Sequence, residues 1–217
     1  NDEVLGVLIR IDSPGGAVAP SQEIYSGVKR LAGVKPVVAS MASLGASGGY
    51  YVAASAHKIV ANPATITGSI GVKMELSNVE DLMEIIGITR NSLVSGDYKD
   101  AGTSLKEIDD DEREYLQGIV DDLYDNFVER VAEGRGLDPE AIRDTEARVY
   151  LGEDAAEIGL VDRLGTREDV EDELAKRLGV DSVAVEEFEP ERGIAARMRG
   201  GAERVAYALG AGVASVA

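Results

Sequence analysis

Apolar runs and amphipathic stretches alternate along the first third of the chain. The apolar runs have the length of strands and fit parallel strands that are covered on both faces. Each of the first two is followed by small residues and then by apolar positions at helical spacing. The predicted strands are residues 4–11, 35–40 and 58–61, the predicted helices are residues 20–31 and 50–54, and a small-residue loop at 67–72 runs into a further strand. This order predicts an α/β fold with right-handed crossovers.

The pattern becomes mainly helical beyond residue 79. The predicted helices are residues 79–86, 109–131, a helix starting at 138, 152–159 and 168–178, and the predicted strands are residues 91–94 and 160–162. The longest helix carries apolar residues every three or four positions from Tyr115 to Val131, so this stripe is expected to face the core. From residue 190 onward Gly, Ala and Arg dominate. The sequence therefore predicts a folded domain at residues 1–180 and a tail at residues 181–217.

The composition of the 217 residues narrows the function classes. The net charge is −18, with 40 Asp and Glu against 22 Lys and Arg, which argues against nucleic acid as a partner. There is no cysteine and only one histidine, so no disulfide, metal site or cofactor is expected. No apolar run reaches the roughly 18 residues of a membrane span. Because the chain lacks an initiator Met and enters an apolar strand almost at once, a missing upstream targeting or anchoring segment is expected.

The acidic, lysine-poor composition predicts a protein from a salt-loving organism. Only seven of the 22 basic residues are lysine, and the excess carboxylates repel one another in the folded state. Salt shortens the screening length from about 10 Å at 0.1 M to about 3 Å at 1 M. We therefore expect a higher melting temperature in roughly 2 M KCl than in roughly 0.1 M KCl. Thermal melts measure this, and an unchanged or lower value in high salt would leave the acidity as an ordinary solubility feature.

The stretch from residue 40 to residue 54, SMASLGASGGYYVAA, is the strongest candidate for chemistry. Small residues crowd its first half and its second half is compatible with a helix, so Ser47 lies where a strand turns into a buried helix. Glycine permits close approach and positive φ, and a helix N-terminus offers unpaired N–H groups. Ser47 is therefore a candidate nucleophile. The alternative is that Ser47 only caps the helix and the glycines only permit packing.

A nucleophilic serine needs a base, and the single histidine is poorly placed to supply one. His57 follows Ser47 by ten residues, mostly along one helix, which puts about 15 Å between them. A lysine can serve as the base when burial favours its neutral form. Lys73 and Lys99 follow the α/β core in loops, where ligand sites gather, and the pattern does not choose between them.

A second glycine-rich turn, SPGG at residues 13–16, follows the first predicted strand. Two such turns at the ends of adjacent parallel strands would face each other where open α/β sheets bind ligands. The N–H groups of Gly16 and Gly48 are then candidate donors to an oxyanion. Neither turn has the spacing of a dinucleotide or P-loop fingerprint.

Six segments of the chain, in order, resemble the signal peptide peptidase A group of serine peptidases. They are IDSPGG (11–16), SMASLGASGGYYVA (40–53), ANPATITGSIGV (61–72), SGDYKD (95–100), FVERVAEGRGL (127–137) and GLVDRLG (159–165). The resemblance implies an α/β Clp-protease/crotonase-like fold, a spiral of ββα units, that here lacks the family's upstream strands and membrane anchor. It also implies a closed homo-oligomeric ring. With the acidic composition, the expected source is a halophilic archaeon.

The same resemblance implies a Ser–Lys dyad. Ser47 matches the nucleophile of the family's ASGG motif, and Lys99 matches the general base of its SG-x-x-KD motif. Ser69 matches the serine of the TGS motif, which holds the lysine amine. Gly16 and Gly48 match the residues whose N–H groups form the oxyanion hole. The expected activity is that of a membrane-associated endopeptidase, on the extracytoplasmic side, which degrades released signal peptides or other apolar membrane-derived peptides.

Two other functions compete with the peptidase. A crotonase-like acyl-CoA enzyme shares the fold and the oxyanion geometry but uses carboxylates for acid–base chemistry, so the Ser47 and Lys99 matches speak against it. A catalytically inactive, membrane-associated scaffold is the third interpretation, and the intact Ser47–Lys99 pair disfavours it. Labelling with a serine-reactive phosphonate distinguishes the three.

Overall fold

The computed structural model describes residues 3–188. The strands are β1 (Val7–Ser13), β2 (Val37–Ala46), β3 (Lys58–Ala61), β4 (Ile66–Gly68), β5 (Val149–Leu151) and β6 (Arg163–Leu164). The helices are α1 (Val18–Ala32), α2 (Gly48–Ala53), α3 (Glu80–Ile85), α4 (Asp110–Arg135), α5 (Pro139–Arg143), α6 (Gly152–Glu157) and α7 (Arg167–Leu178). The described residues up to Val183 belong to one compact unit. Residues 181–188 of the predicted tail are described, and the rest of that tail lies outside the described residues.

One mixed sheet contains the six strands, and β2 is its longest and most central member. β1 pairs in parallel with one edge of β2. The other edge of β2 pairs first with β3, through residues 38–41, and then with β4, through residues 44–46. β6 continues the sheet in parallel beyond β3, whereas β5 is antiparallel to β4. The parallel strands and the α/β class agree with the prediction from the apolar runs.

The strand that leads to Ser47 is longer than its apolar pattern indicates. The sequence predicts that it ends at residue 40, but β2 continues through small residues to Ala46. Pairing with β1 and β4 satisfies the backbone groups of this extension, so small residues suffice there. A Cβ at Gly45 would lie 2.9 Å from the flexible Met41 side chain, so glycine at this position lets Met41 keep its place in the core. Because β2 ends at Ala46 and α2 begins at Gly48, the turn from strand to helix consists of Ser47 alone.

Some short elements also differ from the prediction. Residues 91–94 do not form a strand, and the strand expected at 160–162 is instead Arg163–Leu164. β5 was not expected at all, because three residues are too few to display a period. Whether such a short segment forms a strand depends on its pairing with strands that are distant in the sequence, and the local pattern carries no information about that pairing.

The long amphipathic helix is confirmed, but only the C-terminal third of its apolar stripe is fully buried. Asp109 precedes α4 and accepts a hydrogen bond from the Glu112 N–H, and Gly136 ends the helix with φ 65°. Phe127 and Val131 are buried in the core, whereas Tyr115 near the start is 47% exposed. The N-terminal half of the stripe therefore extends beyond the core. Neither α4 nor any other helix between residues 3 and 188 has the length and apolar character that a membrane crossing requires.

Aromatic packing fixes the short helix that follows Ser47. Tyr50 is fully buried and donates a hydrogen bond to the Leu160 carbonyl at 2.8 Å. The Tyr51 ring lies 4.6 Å from that of Phe127 on α4 and 5.3 Å from that of Tyr25 on α1, measured between centroids. Large buried rings dominate core energetics, so α2 is held firmly in place beneath the carboxyl end of β2.

A partly buried ion-pair cluster lies beside β3. Asp162 binds Lys58 at 2.8 Å and Arg135 at 2.6 Å, and it accepts the Ile59 N–H at 2.8 Å. Burial by itself raises the pKa of Asp162, but the hydrogen bond from Lys58 and the charge of Arg135 outweigh burial and hold the pKa below its ordinary value of 3.8. A carboxylate whose pKa is lower in the folded state stabilises the fold above its unfolded pKa. This contribution disappears as the pH falls through the folded pKa.

Replacing Asp162 with Asn should therefore lower the free energy of unfolding by about 3 to 5 kcal/mol near neutral pH. The reason is that Arg135, whose side chain is only 5% exposed, loses its countercharge. Urea unfolding measures the effect, which should begin to shrink below about pH 4, where the carboxylate of the unfolded chain binds a proton, and should disappear once the pH is below the lower pKa of the folded state. Asp125→Asn is the control, because Asp125 is 56% exposed in its pair with Arg143 and its loss should cost less than about 1 kcal/mol. Equal losses from the two substitutions would contradict the interpretation.

Candidate active site

Three parallel strand ends meet at Ser47. In the register of the sheet, Ser13 at the end of β1 lies opposite Gly45, and Ala46 at the end of β2 lies opposite Gly68 of β4. The Ser47 N–H donates to the Gly68 carbonyl at 2.9 Å. The two glycine-rich turns thus follow adjacent strand ends, as their positions in the sequence predict, at the edge where open α/β sheets bind ligands.

Ser47 has a backbone conformation that serine rarely adopts. Its φ is 51° and its ψ is −122°, and α2 begins at the next residue. The surrounding residues 45–49, GASGG, have the Gly-x-Ser-x-Gly spacing of a nucleophile elbow, which presents a serine on a sharp strand-to-helix turn. The interpretation of Ser47 as a side-chain cap is wrong, because its side chain makes no capping hydrogen bond. Strain of this kind often accompanies function.

Glycines of the first turn pack directly on Ser47. Gly15 has φ 106°, and a Cβ there would lie 2.7 Å from both the Gly48 nitrogen and the Ser47 Cβ. A Cβ at Gly48 would lie 2.5 Å from the Ser21 hydroxyl and 3.2 Å from the Gly16 nitrogen. The two turns therefore approach through backbone alone. Within the described chain neither the Gly16 nor the Gly48 N–H donates a hydrogen bond, so both are available to an oxyanion.

Gly15→Ala should slow the reaction of Ser47 with a serine-directed phosphonate by about 10²-fold, the usual cost of misplacing reacting groups by about 1 Å. The added methyl group cannot fit without moving Ser47 or Gly48. Gly118→Ala on α4 is the matched control, because no atom lies within 4 Å of a Cβ at that site. The rate of labelling measures both variants, and normal labelling of Gly15→Ala would show that this close approach is not needed.

Ser69 follows the strand next to Ser47. Ala46 and Gly68 are opposite each other in the sheet, so the two serines leave neighbouring strands at the same level. Ser69 has φ 52° and donates its N–H to the Arg148 carbonyl at 2.8 Å. The structure therefore brings four of the five predicted site residues to one end of the sheet: Gly16, Ser47, Gly48 and Ser69.

Lys99, the fifth predicted residue, lies in the loop between α3 and α4. Its side chain is exposed and makes no hydrogen bond or ion pair within residues 3–188. Nothing in the described chain joins Lys99 to Ser47 or Ser69, so the dyad stays a prediction.

Contacts with α4 fix the residues around Lys99. The Tyr98 ring lies 4.8 Å from the Tyr115 ring. Asp100 pairs with Arg90 at 2.6 Å and with Lys106 at 3.6 Å, and the hydrogen bond from Arg90 holds the pKa of Asp100 below its ordinary value. Lys106 in turn binds Glu112, a buried carboxylate in the first turn of α4, at 2.5 Å. The neighbours of Lys99 are therefore anchored while its amine is left free.

Five of the other six lysines are engaged elsewhere. Lys73 pairs with Glu75 at 3.0 Å, and both side chains are more than 70% exposed. Lys29, Lys58 and Lys106 also pair with carboxylates, and Lys35 donates to a backbone carbonyl. The His57 Nδ1 accepts a hydrogen bond from the Val37 N–H of β2 at 3.1 Å, so this nitrogen is already engaged with the sheet.

Comparisons with known proteins bear on the family and the fold of the chain. The model of Peptidase family S49 matches residues 29–181. A protein of Synechocystis sp. that is named as a candidate protease is 42% identical over 198 residues, which is 90% of this chain and 72% of that protein. A candidate signal peptide peptidase of Enterococcus faecium is 37% identical over 190 residues, and the chain spans only 54% of its length. A ClpP1 mutant of Listeria monocytogenes matches with a TM-score of 0.52 at 18% identity, over 77% of this chain and 78% of that one, which confirms the Clp-protease-like fold.

Proposed function

The chain belongs to peptidase family S49, and on this basis we propose that it is a serine endopeptidase with Ser47 as its nucleophile. The observation that carries the proposal is the strained turn that presents Ser47 beside the unpaired N–H groups of Gly16 and Gly48. When the Ser47 Oγ attacks a peptide carbonyl, the carbonyl oxygen becomes an oxyanion. Preorganised N–H donors next to the nucleophile would stabilise that charge.

Lys99 is the proposed general base. It takes the proton from the Ser47 hydroxyl during attack and gives it to the departing amine, after which water hydrolyses the acyl-enzyme in the same way. Ser69 is proposed to hold the lysine amine in place. A lysine amine acts as a base only where burial favours its neutral form, so the exposed Lys99 has to be covered by substrate, by movement of its loop or by another copy of the chain.

A homo-oligomer is proposed as the working form. Many large apolar side chains are exposed on the segment that precedes Lys99: Leu82, Ile85, Ile86, Ile88, Leu93 and Val94. A monomeric soluble protein rarely exposes so many in one stretch, and contacts between identical copies would cover them.

The proposed substrates are released signal peptides or other apolar peptides from the membrane, cut by an enzyme associated with the extracytoplasmic side. A Cβ at Gly16 would meet no atom within 4 Å, so there is open space for a substrate beside this candidate oxyanion donor. The name of the Enterococcus relative supports a signal-peptide substrate. Membrane association is proposed to depend on an anchor outside this chain.

Hydrolysis of a fluorogenic apolar peptide tests the proposal against its competitors. We expect turnover that a serine-directed phosphonate abolishes. Turnover or tight binding of an acyl-CoA thioester, without peptide cleavage, would instead indicate a crotonase-like enzyme. A folded, oligomeric protein that neither cleaves the peptide nor reacts with the phosphonate would indicate a scaffold.

A further inference from the structure

Backbone strain in the described chain is concentrated at two places. Among residues 3–188, the residues other than glycine with positive φ are Ser47, Ser69, Glu146 (φ 50°) and Ala147 (φ 56°). The first two are the predicted site serines. The other two are adjacent in the turn between α5 and β5, which the sequence analysis did not single out. Strain persists only where the surrounding structure over-determines it, so this second strained turn calls for a physical explanation.

The turn at residues 146–148 contacts the backbone on both sides of Ser69. The Arg148 carbonyl accepts the Ser69 N–H at 2.8 Å, and a Cβ at Gly68 would lie 2.8 Å from the same carbonyl oxygen. A Cβ at Gly71 would lie 2.6 Å from the Ala147 Cβ. The residues immediately before and shortly after Ser69 are therefore both shaped to fit residues 147 and 148.

The turn is itself held rigidly from behind. The Arg148 N–H donates to the Thr145 carbonyl at 2.9 Å, and the Glu146 N–H donates to the Arg143 carbonyl at 2.9 Å. Thr145 is buried, and its hydroxyl donates to the Ile142 carbonyl at 2.7 Å. The position of the Arg148 carbonyl is thus set by the end of α5, which cannot shift without breaking these hydrogen bonds.

We propose that the turn at residues 146–148 is a positioning element for Ser69. Glu146 and Ala147 take the strained conformation that places the Arg148 carbonyl on the Ser69 N–H, and Ala147 fills the space that Gly71 leaves open. Together they hold Ser69 in its own left-handed conformation, which fixes the backbone position from which its hydroxyl projects. The inference rests on the proposed function, in which that hydroxyl orients the Lys99 amine.

A pair of compensating substitutions tests this role. Gly71→Ala places a methyl group against Ala147, and Ala147→Gly removes the atom that it meets. We expect Gly71→Ala to lower kcat at least tenfold with little change in KM, and the double variant to recover kcat to within about threefold of Ala147→Gly alone. The measurements are made on the full chain, well below the melting temperature of each variant.

The pH profile separates positioning from a merely structural role. A hydroxyl that donates to a neutral amine favours the unprotonated form, so a displaced Ser69 should move the acid limb of the kcat profile to higher pH. Ser69→Ala should produce the same displacement, and adding Gly71→Ala to it should change kcat little further. Two substitutions that act through one group are non-additive in this way.

Three results would overturn the inference. One is a loss of activity in Gly71→Ala that follows its folded fraction with an unchanged pH profile. Another is a double variant that folds and is no more active than Gly71→Ala. The third applies if Gly71→Ala fails to fold, in which case Ala147→Gly is tested alone. This variant should lower kcat severalfold without lowering the melting temperature. Full activity in Ala147→Gly would overturn the proposal. A wild-type chain with no Ser47-dependent hydrolysis would refute the proposed function instead.

Discussion

Ser47→Ala should abolish peptide hydrolysis, with kcat lower by about 10⁴- to 10⁶-fold, because the attacking oxygen is removed. The fold should be unaffected, since the Ser47 side chain makes no hydrogen bond in the described chain and does not cap α2. Steady-state rates on the apolar peptide, together with urea unfolding, measure the two effects separately.

Ser47→Gly is the matched variant for the backbone strain. It also lacks the nucleophile, but glycine adopts positive φ without a steric cost. We expect it to be as inactive as Ser47→Ala and more stable than it by about 1 kcal/mol. Residual Ser47→Ala activity above about a thousandth of wild type would remove Ser47 from the mechanism. A less stable Ser47→Gly would mean that the conformation at residue 47 carries no strain.

Lys99→Ala should lower kcat by about 10²- to 10⁴-fold, the usual contribution of a positioned general base. Its side chain makes no contact that the fold needs in the described chain, so stability should change little. Lys73→Ala is the control, because Lys73 is 79% exposed and pairs only with Glu75 among residues 3–188, and it should keep wild-type activity. Wild-type activity should rise with pH as the amine loses its proton.

The opposite result for the two lysines would transfer the role of base to Lys73, and a rate that peaks in acid would contradict a lysine base altogether. A mixture of Ser47→Ala and Lys99→Ala chains adds one further piece of information. Recovered activity would mean that the base serves a serine of another copy, whereas an inactive mixture would assign both groups to one chain.

Local signals in the sequence predict those elements whose ends are set by residues nearby in the chain. Asp109 and Gly136 bound α4 at the expected ends, and Asp138 with Pro139 starts α5. These signals are caps and fixed φ angles within a few residues, so the printed sequence contains them. The extension of β2 to Ala46 and the short β5 could not be predicted, because their backbone is held by strands far along the chain.

The candidate site likewise contains residues that local pattern predicts and residues that distant contacts place. Ser47, Gly16 and Gly48 follow from glycine-rich turns after apolar runs, and the Gly-x-Ser-x-Gly spacing at residues 45–49 was a further signal that the sequence analysis missed. The strained φ of Ser69 could not be predicted, because it depends on the distant Arg148 carbonyl. The position of Lys99 is set by the ion pair of Asp100 with Arg90 and by the ring contact of Tyr98 with Tyr115 on α4, and the local pattern of its loop contains neither.

The proposed peptidase activity requires first of all that Ser47 is a reactive nucleophile. Treating the chain with a fluorophosphonate, digesting it and mapping the adduct by mass spectrometry answers this without knowledge of the natural substrate. We expect a single adduct on Ser47, absent from Ser47→Ala and formed much more slowly in Lys99→Ala. An adduct on Ser13 or Ser69 with Ser47 unmodified, or no adduct on a chain that hydrolyses peptides, would contradict it.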